Sequence, residues 1–287
     1  MKRAVPLSWL IGLMMLFLWA GCSKPAEVNG PVTSIPNPTT PATSVRLKQL
    51  QIINRVASFV DYTYDAQGRQ ESVQTYSQRS GEGKDESPAT LVTYDSQNRL
   101  LKTEDGWFTL DPTNHSVTKK LVTQWQEFAH QGVVMSIKTF LVDPTAYNNS
   151  PEITIETNAQ GQIVKQVQKK ADGSTVETTY QYDRENVVQG EQMIRSSHGA
   201  IKSRSRSLYI YDTNPNPLRG LLGPYGGLNV QSYTSKNNVT KWTSQGLSPD
   251  TGSVLSETTT YYDYSYSEKG WPVSYETSTA KATYIYY

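Results

Sequence analysis

Few side chains in this sequence are placed to do covalent chemistry. Its one cysteine, Cys22, follows Ala20 and Gly21 at the exit of an apolar run, so the single thiol sits outside any catalytic setting. Three histidines, His115, His130 and His198, lie far apart in polar turns. Metal sites need ligands at short local spacings, so each reads as an exposed turn histidine, and no metal or other cofactor is expected. No Gly-x-Ser-x-Gly nucleophile elbow occurs, and no catalytic residue is assigned. Glu127, Asp143, Glu156, Asp183, Glu185 and Glu191 are available as glycosidase carboxylates. Such a pair needs a fixed separation, which the sequence does not supply, and capping a turn accounts for Asp183. The run Asp212-Thr213-Asn214-Pro215-Asn216 offers oxygen ligands at alternate positions, yet it lacks the later Gly and bidentate Glu of a calcium loop. Aromatic side chains remain. Trp107, Trp125, Trp242 and Trp271 fall in predicted strands or hairpin edges and are the candidate ligand-binding residues, because exposed rings dock sugar faces and partner surfaces. Capping the core of a Tyr-rich sheet is the plainer use of the same rings.

The N-terminus sets the compartment. Lys2 and Arg3 precede an apolar stretch from Val5 to Ala20, the pattern of a secretory signal. A spanning helix needs about 20 apolar residues with charged flanks, and this run is shorter. Its exit, Leu18-Trp19-Ala20-Gly21-Cys22, resembles the bacterial lipobox, with Trp19 where Leu is usual. The resemblance implies cleavage after residue 21 and acylation of Cys22, which makes membrane lipid the first partner; stable anchoring takes more than one chain. Residues 22–44 hold Pro25, Pro31, Pro36, Pro38 and Pro41 among Thr, Ser and Asn. Such a segment buries too little apolar area to fold and favours an extended tether. Ser23 where Asp would retain the chain in the inner membrane implies an outer-membrane lipoprotein, facing the periplasm or the cell surface.

The remaining residues, 45–287, read as one β domain. Tyr reaches 19 residues, and Thr, Ser, Val and Gln abound, a composition of strands and turns. With 27 basic and 26 acidic residues the net charge is +1, and no basic stripe marks a nucleic-acid partner.

One pattern recurs along this domain. It appears as Tyr62-Thr63-Tyr64-Asp65-Ala66-Gln67-Gly68-Arg69, then as Thr93-Tyr94-Asp95-Ser96-Gln97-Asn98-Arg99, and again around Asn158–Gly161, Asp183–Asn186 and Ser267–Gly270. Each is an alternating strand, an Asp, Asn or Ser, two polar residues, a Gly or Asn, and a second strand. The entry side chain bonds backbone two residues on, and the Gly or Asn tolerates the positive φ that closes a hairpin. Two further strands flank the turn His130-Gln131-Gly132, and Leu218 to Leu228 reads as a loop or single helical turn able to plug one end of the sheet. A strand is expected from Leu50.

The Tyr-Asp and Gly-Arg elements resemble the YD repeats of Rhs-type and teneurin-type shells, and more closely Bacteroidota lipoproteins built from the same hairpins. Irregular spacing argues against a strict solenoid. The expected fold is all-β: a large twisted antiparallel meander, a curled sheet or partly closed barrel. The expected function is a non-enzymatic, envelope-anchored domain binding a glycan or a protein partner. A glycan-acting hydrolase and a purely structural envelope protein stay open as alternatives.

Overall fold

The computed structural model describes residues 45–54, 57–77, 88–110, 117–141, 152–222 and 230–287. Cys22 and the tether lie outside them, as do His115 and Asp143. The strands are β1 (Leu47–Ile53), β2 (Ala57–Tyr64), β3 (Gln70–Ser77), β4 (Pro88–Tyr94), β5 (Leu100–Leu110), β6 (Val117–Gln131), β7 (Val134–Leu141), β8 (Glu152–Thr157) and β9 (Ile163–Lys169). They continue as β10 (Thr175–Asp183), β11 (Asn186–Arg195) and β12 (Ile201–Pro215). The short helix α1 (Val230–Thr234) precedes β13 (Asn237–Leu247), β14 (Val254–Tyr261), β15 (Asp263–Tyr266), β16 (Pro272–Glu276) and β17 (Lys281–Tyr286).

All 17 strands belong to one antiparallel sheet. From β1 to β14 each strand pairs with the next, and β15, β16 and β17 do the same. β14 runs into β15 through Tyr262, so the two are halves of one strand: β14 holds β13, and β15 holds β16. β17 then pairs with β1, Leu50 opposite Tyr284. The curl therefore closes into a nearly complete barrel.

The repeated turn explains the hairpins. Asp65 N–H donates to Arg69 O (2.9 Å) and Gly68 N–H to Asp65 O (2.9 Å). The same two bonds recur at Asp95/Asn98, Asn158/Gly161 and Ser267/Gly270, and also at Lys170/Gly173 and Ser196/Gly199. The Asp95 carboxylate accepts the backbone N–H of Arg99 and of Gln97, and Arg99 Nε lies 2.8 Å away; these bonds, the backbone one first, hold its pKa below the usual carboxylate range. Arg69 also donates to Asn98 Oδ1 and lies over the Tyr94 ring, 4.7 Å from its centre, which ties one turn to the next. Gly68 has φ +81°. Gly68→Val should lower stability by about 1 kcal/mol or more; an unchanged midpoint in urea would contradict this register.

The turn after β10 departs from the expectation. Asp183 pairs directly with Asn186, and the positive φ falls on Arg184 (+54°) rather than on Asn186. Strand pairing here runs to the last residue, leaving a two-residue loop that demands positive φ at its centre. β1 likewise begins at Leu47, ahead of Leu50, because Leu47 is drawn into the core.

The inner face carries that core. One cluster gathers Val92, Leu100, Phe128, Ile137, Ile155 and Val187, and a second gathers Leu50, Val60, Tyr62, Val73 and Tyr284. The segment between β12 and β13 joins them: Leu222 and Val230 pack into the first, Leu221 into the second. It enters the barrel at the end where the Asp65 and Asp95 turns lie. Gln70 clamps it, donating to Leu222 O (3.1 Å) while Leu222 N–H donates to Gln70 Oε1 (2.6 Å). Of the stretch expected to plug the sheet, Leu218 to Leu228, the described residues Leu218, Leu221 and Leu222 pack against the core, and residues 223–228 lie outside those described.

Candidate functional site: the inner wall

The wall has two unlike faces. Around the outside stand Asp61, Lys102, Glu104, Glu127, Lys138, Glu156, Lys165, Glu177, Glu191, Arg204, Arg206, Glu257, Glu276 and Lys281, at positions alternating with the core residues. Several pair across strands, Lys165 with Glu177 at 3.0 Å and Arg204 with Glu191 at 2.6 Å, and Lys102 pairs with Glu104 along β5 at 3.0 Å. A lipid-facing barrel wall is apolar over a band about 25 Å tall, and a midplane Arg or Lys costs about 2–4 kcal/mol. Charges on every side of the ring suit water.

Inside, beyond the apolar clusters, the lining turns polar. Asp105 is almost fully buried on the inner face, its carboxylate accepting from Thr90 Oγ1 (2.5 Å) and Gln124 Nε2 (2.8 Å). Burial raises its pKa, against those two bonds. A carboxyl whose folded pKa is raised favours the protonated state, so stability is greatest at low pH and declines as pH rises through the unfolded value and up to the folded one. Asp105→Asn should remove that decline. The variant should melt higher than wild type at pH 8, with the gap closing towards pH 4; a gap independent of pH would contradict the assignment.

Elsewhere on the inner face, β11 to β14 present rows of small, mostly hydroxyl-bearing side chains. Gly190, Ser207, Ser244 and Thr258 stand in register across the four strands, and Gln192, Ser205, Gly246 and Ser256 form the neighbouring row. Ser203, Ser256 and Thr258 are exposed to water. Towards the plug the rows end on rings: Tyr209, Trp242 and Thr260 share a register line, and Tyr180 lies beside Gly190, whose added Cβ would stand 3.6 Å from that ring. Trp242 Nε1 is buried and finds no hydrogen-bond partner among the described residues. These rows offer hydroxyls, an amide and ring faces, and no charge. That combination suits a neutral polyhydroxylated ligand: hydroxyls exchange hydrogen bonds with its hydroxyls, and rings cover its C–H faces.

The four candidate tryptophans do not converge. Trp242 lies inside. Trp107 is 47% exposed, paired with Leu121 at the barrel end opposite the plug. Trp125 is on the outer face, stacked on Phe140 (5.1 Å between centres) with Lys102 over it and its Nε1 donating to Glu127. Trp271 closes the Ser267 turn at the plugged end, 6.1 Å from Tyr286. Period-two alternation alone assigns faces only after the register is known, and bulges in β5 and β6 shift it.

The carboxylates are similarly dispersed. Glu191 is held by Arg204 and Arg206, and Glu185 by Arg219 and Lys236; Glu127 and Glu156 stand outward opposite Lys138 and Lys165. Asp212 accepts from Asn214 N–H, from both the backbone and side chain of Asn238, and from Tyr266 Oη, so it knots the β12 loop to β13 and β15. Among the described residues no group of three or more His, Cys, Asp or Glu is gathered for a metal. His130 differs from the expected exposed turn residue: it is half-buried, its Nε2 2.8 Å from Leu100 O. The sequence pointed past Asp105 and the hydroxyl rows because Ser, Thr and Gln on alternate positions read equally well as a wet outer face.

No protein-family model matches the chain, and no curated protein matches it in sequence. Among solved structures it is similar to a porin-like protein from Bacteroides uniformis ATCC 8492, with a TM-score of 0.53 at 13% sequence identity over 86% of this chain and 99% of that one. A porin-like protein from Bacteroides vulgatus ATCC 8482 aligns at a TM-score of 0.39 and 10% identity, over 85% of this chain and 99% of that one. A TcdB2-TccC3-TEV structure aligns at 0.35 and 12%, over 80% of this chain and 10% of that one. The first shares this barrel fold.

Proposed function

We propose that the chain is an outer-membrane lipoprotein, anchored through acylated Cys22, whose non-enzymatic YD-type barrel binds a glycan at its inner wall. The observation that carries the ligand class is the uncharged rows of hydroxyls ending on Trp242 and Tyr209. The charged outer face supports a domain held by its anchor and standing in water rather than in lipid. A barrel of the same fold being porin-like in Bacteroides uniformis supports placement in an envelope. Of the acidic side chains a hydrolase would draw on, Glu185 and Glu191 are spent on arginines and a lysine, which favours binding over cleavage.

A panel of neutral oligosaccharides and polysaccharides, titrated against the full chain, tests this. Trp242→Ala removes a ring anchor, whose truncation at a binding site costs about 2 kcal/mol or more, so affinity for the best glycan should fall by more than about tenfold. Ser244→Trp fills the rows and should abolish binding while the melting temperature stays close to wild type. Binding unchanged by Ser244→Trp, or no binding to any member, would overturn the reading, as would cleavage of a bound glycan.

A further inference from the structure

The sheet has one long free edge. Among the described residues, β14 pairs with β13 alone, because the strand hands its second half, β15, to β16. Both of its faces meet water: five successive residues from Val254 to Thr258 are exposed, and Leu255 (69%) and Tyr261 (65%) are the most exposed large apolar side chains described. Folded proteins guard such edges with Lys, Pro or inward charges. Here the sequence Ser256-Glu257-Thr258-Thr259-Thr260-Tyr261 has no Pro or Lys and is built of strand-forming residues. A bulge at Gly246/Leu247 falls only at the start of β14.

The hydrogen-bond parity of this edge is fixed. Tyr262 N–H donates to Thr240 O (2.9 Å), which makes Lys241/Tyr261 a pair of the non-hydrogen-bonded kind, and the two kinds alternate from there. Thr260, Thr258 and Ser256 therefore bond β13, while Tyr261, Thr259 and Glu257 direct their N–H and C=O away from it, into the open edge.

We propose that this edge is a self-association surface, at which two copies of the chain join β14 to β14 about a two-fold axis through Thr258. An isologous antiparallel pair must set residues of the same face opposite one another. The register centred on Thr258 does so. Glu257 faces Thr259 of the second copy and Thr259 faces Glu257, both drawn from the residues whose backbone groups are unspent. Leu255 comes opposite Tyr261 of the second copy, so the two most exposed apolar side chains cover each other, and Glu257 meets a threonine rather than its own copy. A net charge of +1 leaves little overall repulsion between the copies. The inference does not depend on the glycan or on the lipid anchor.

Sedimentation of the full chain in mild detergent, from 1 to 100 µM, tests it. Two chains per particle are expected at the upper end. Thr259→Pro deletes an N–H that bonds nothing among the described residues, so it should return the protein to one chain per particle with its melting curve kept. In a Cys22→Ser background, Thr258→Cys should oxidise to a covalent dimer. Opposed non-hydrogen-bonded residues lie about 4.5 Å apart at Cα, within the disulfide range of about 4.4–6.8 Å. Glu257→Cys, whose partner is Thr259, should not. A single chain at 100 µM, or a dimer that ignores Thr259→Pro and leaves Thr258→Cys reduced, would overturn the proposal. A Thr259→Pro protein that unfolds leaves the cysteine pair to decide.

Discussion

Leu222→Asp should lower the melting temperature of this barrel by roughly 10 °C or more. The side chain is only 4% exposed, inside a cluster with Val92, Phe128, Ile155 and Val187. Losing its burial removes about 1.5–3 kcal/mol, and an unpaired buried charge adds about 3–5 kcal/mol. A domain's whole stability is about 5–15 kcal/mol, and in a chain of this size each kcal/mol moves the midpoint by about 2–4 °C. The backbone cannot give way cheaply, because Gln70 holds both the N–H and the C=O of Leu222. Leu222→Ala, by comparison, should cost about 2–5 kcal/mol. Thermal unfolding by far-UV circular dichroism reads both. A midpoint within 2 °C of wild type for Leu222→Asp would mean that the plug is not part of the cooperative core.

How much of this was legible beforehand follows from the range of each interaction. The turns at Asp65, Asp95, Asn158 and Ser267 are local: the entry side chain, the Gly or Asn and the bonds they satisfy lie within five residues, so composition and spacing reveal them. The same turn at Lys170 and Ser196 is less visible, since Lys in the first position carries no capping signal. The inward packing of Leu218, Leu221 and Leu222 was readable because they interrupt a polar loop with residues that must be buried somewhere. Barrel closure was not. It rests on Leu50 meeting Tyr284, and nothing near either residue announces a partner more than 200 positions away. The site suffered from the same blindness. Trp107, Trp125, Trp242 and Trp271 share a residue type, yet the ring scatters them to one end, the outer face, the interior and the plugged end. Asp105 carries no local signal of burial: only the strand register turns it inward while its neighbour Glu104 faces out.

The outer face bears on the anchor. Arg204, Arg206, Glu191, Lys165 and Glu177 stand at mid-strand on that wall, charges that suit water better than a bilayer, so under the proposed reading membrane attachment falls to a lipid on Cys22. A single acyl chain binds only marginally and reversibly, and two or more anchor firmly. Removing the thiol should therefore act as a switch and not as a graded loss.

The most direct measurement of the account is the membrane partition of Cys22→Ser beside wild type, by detergent-phase separation and palmitate labelling of the exported protein. Wild type should enter the detergent phase and take up label. Cys22→Ser should take up none, and once its signal is removed it should appear in the aqueous phase with its barrel folded and its glycan binding kept. A fully processed Cys22→Ser protein that still partitions with membranes would contradict the account, because it would place the charged wall itself against lipid.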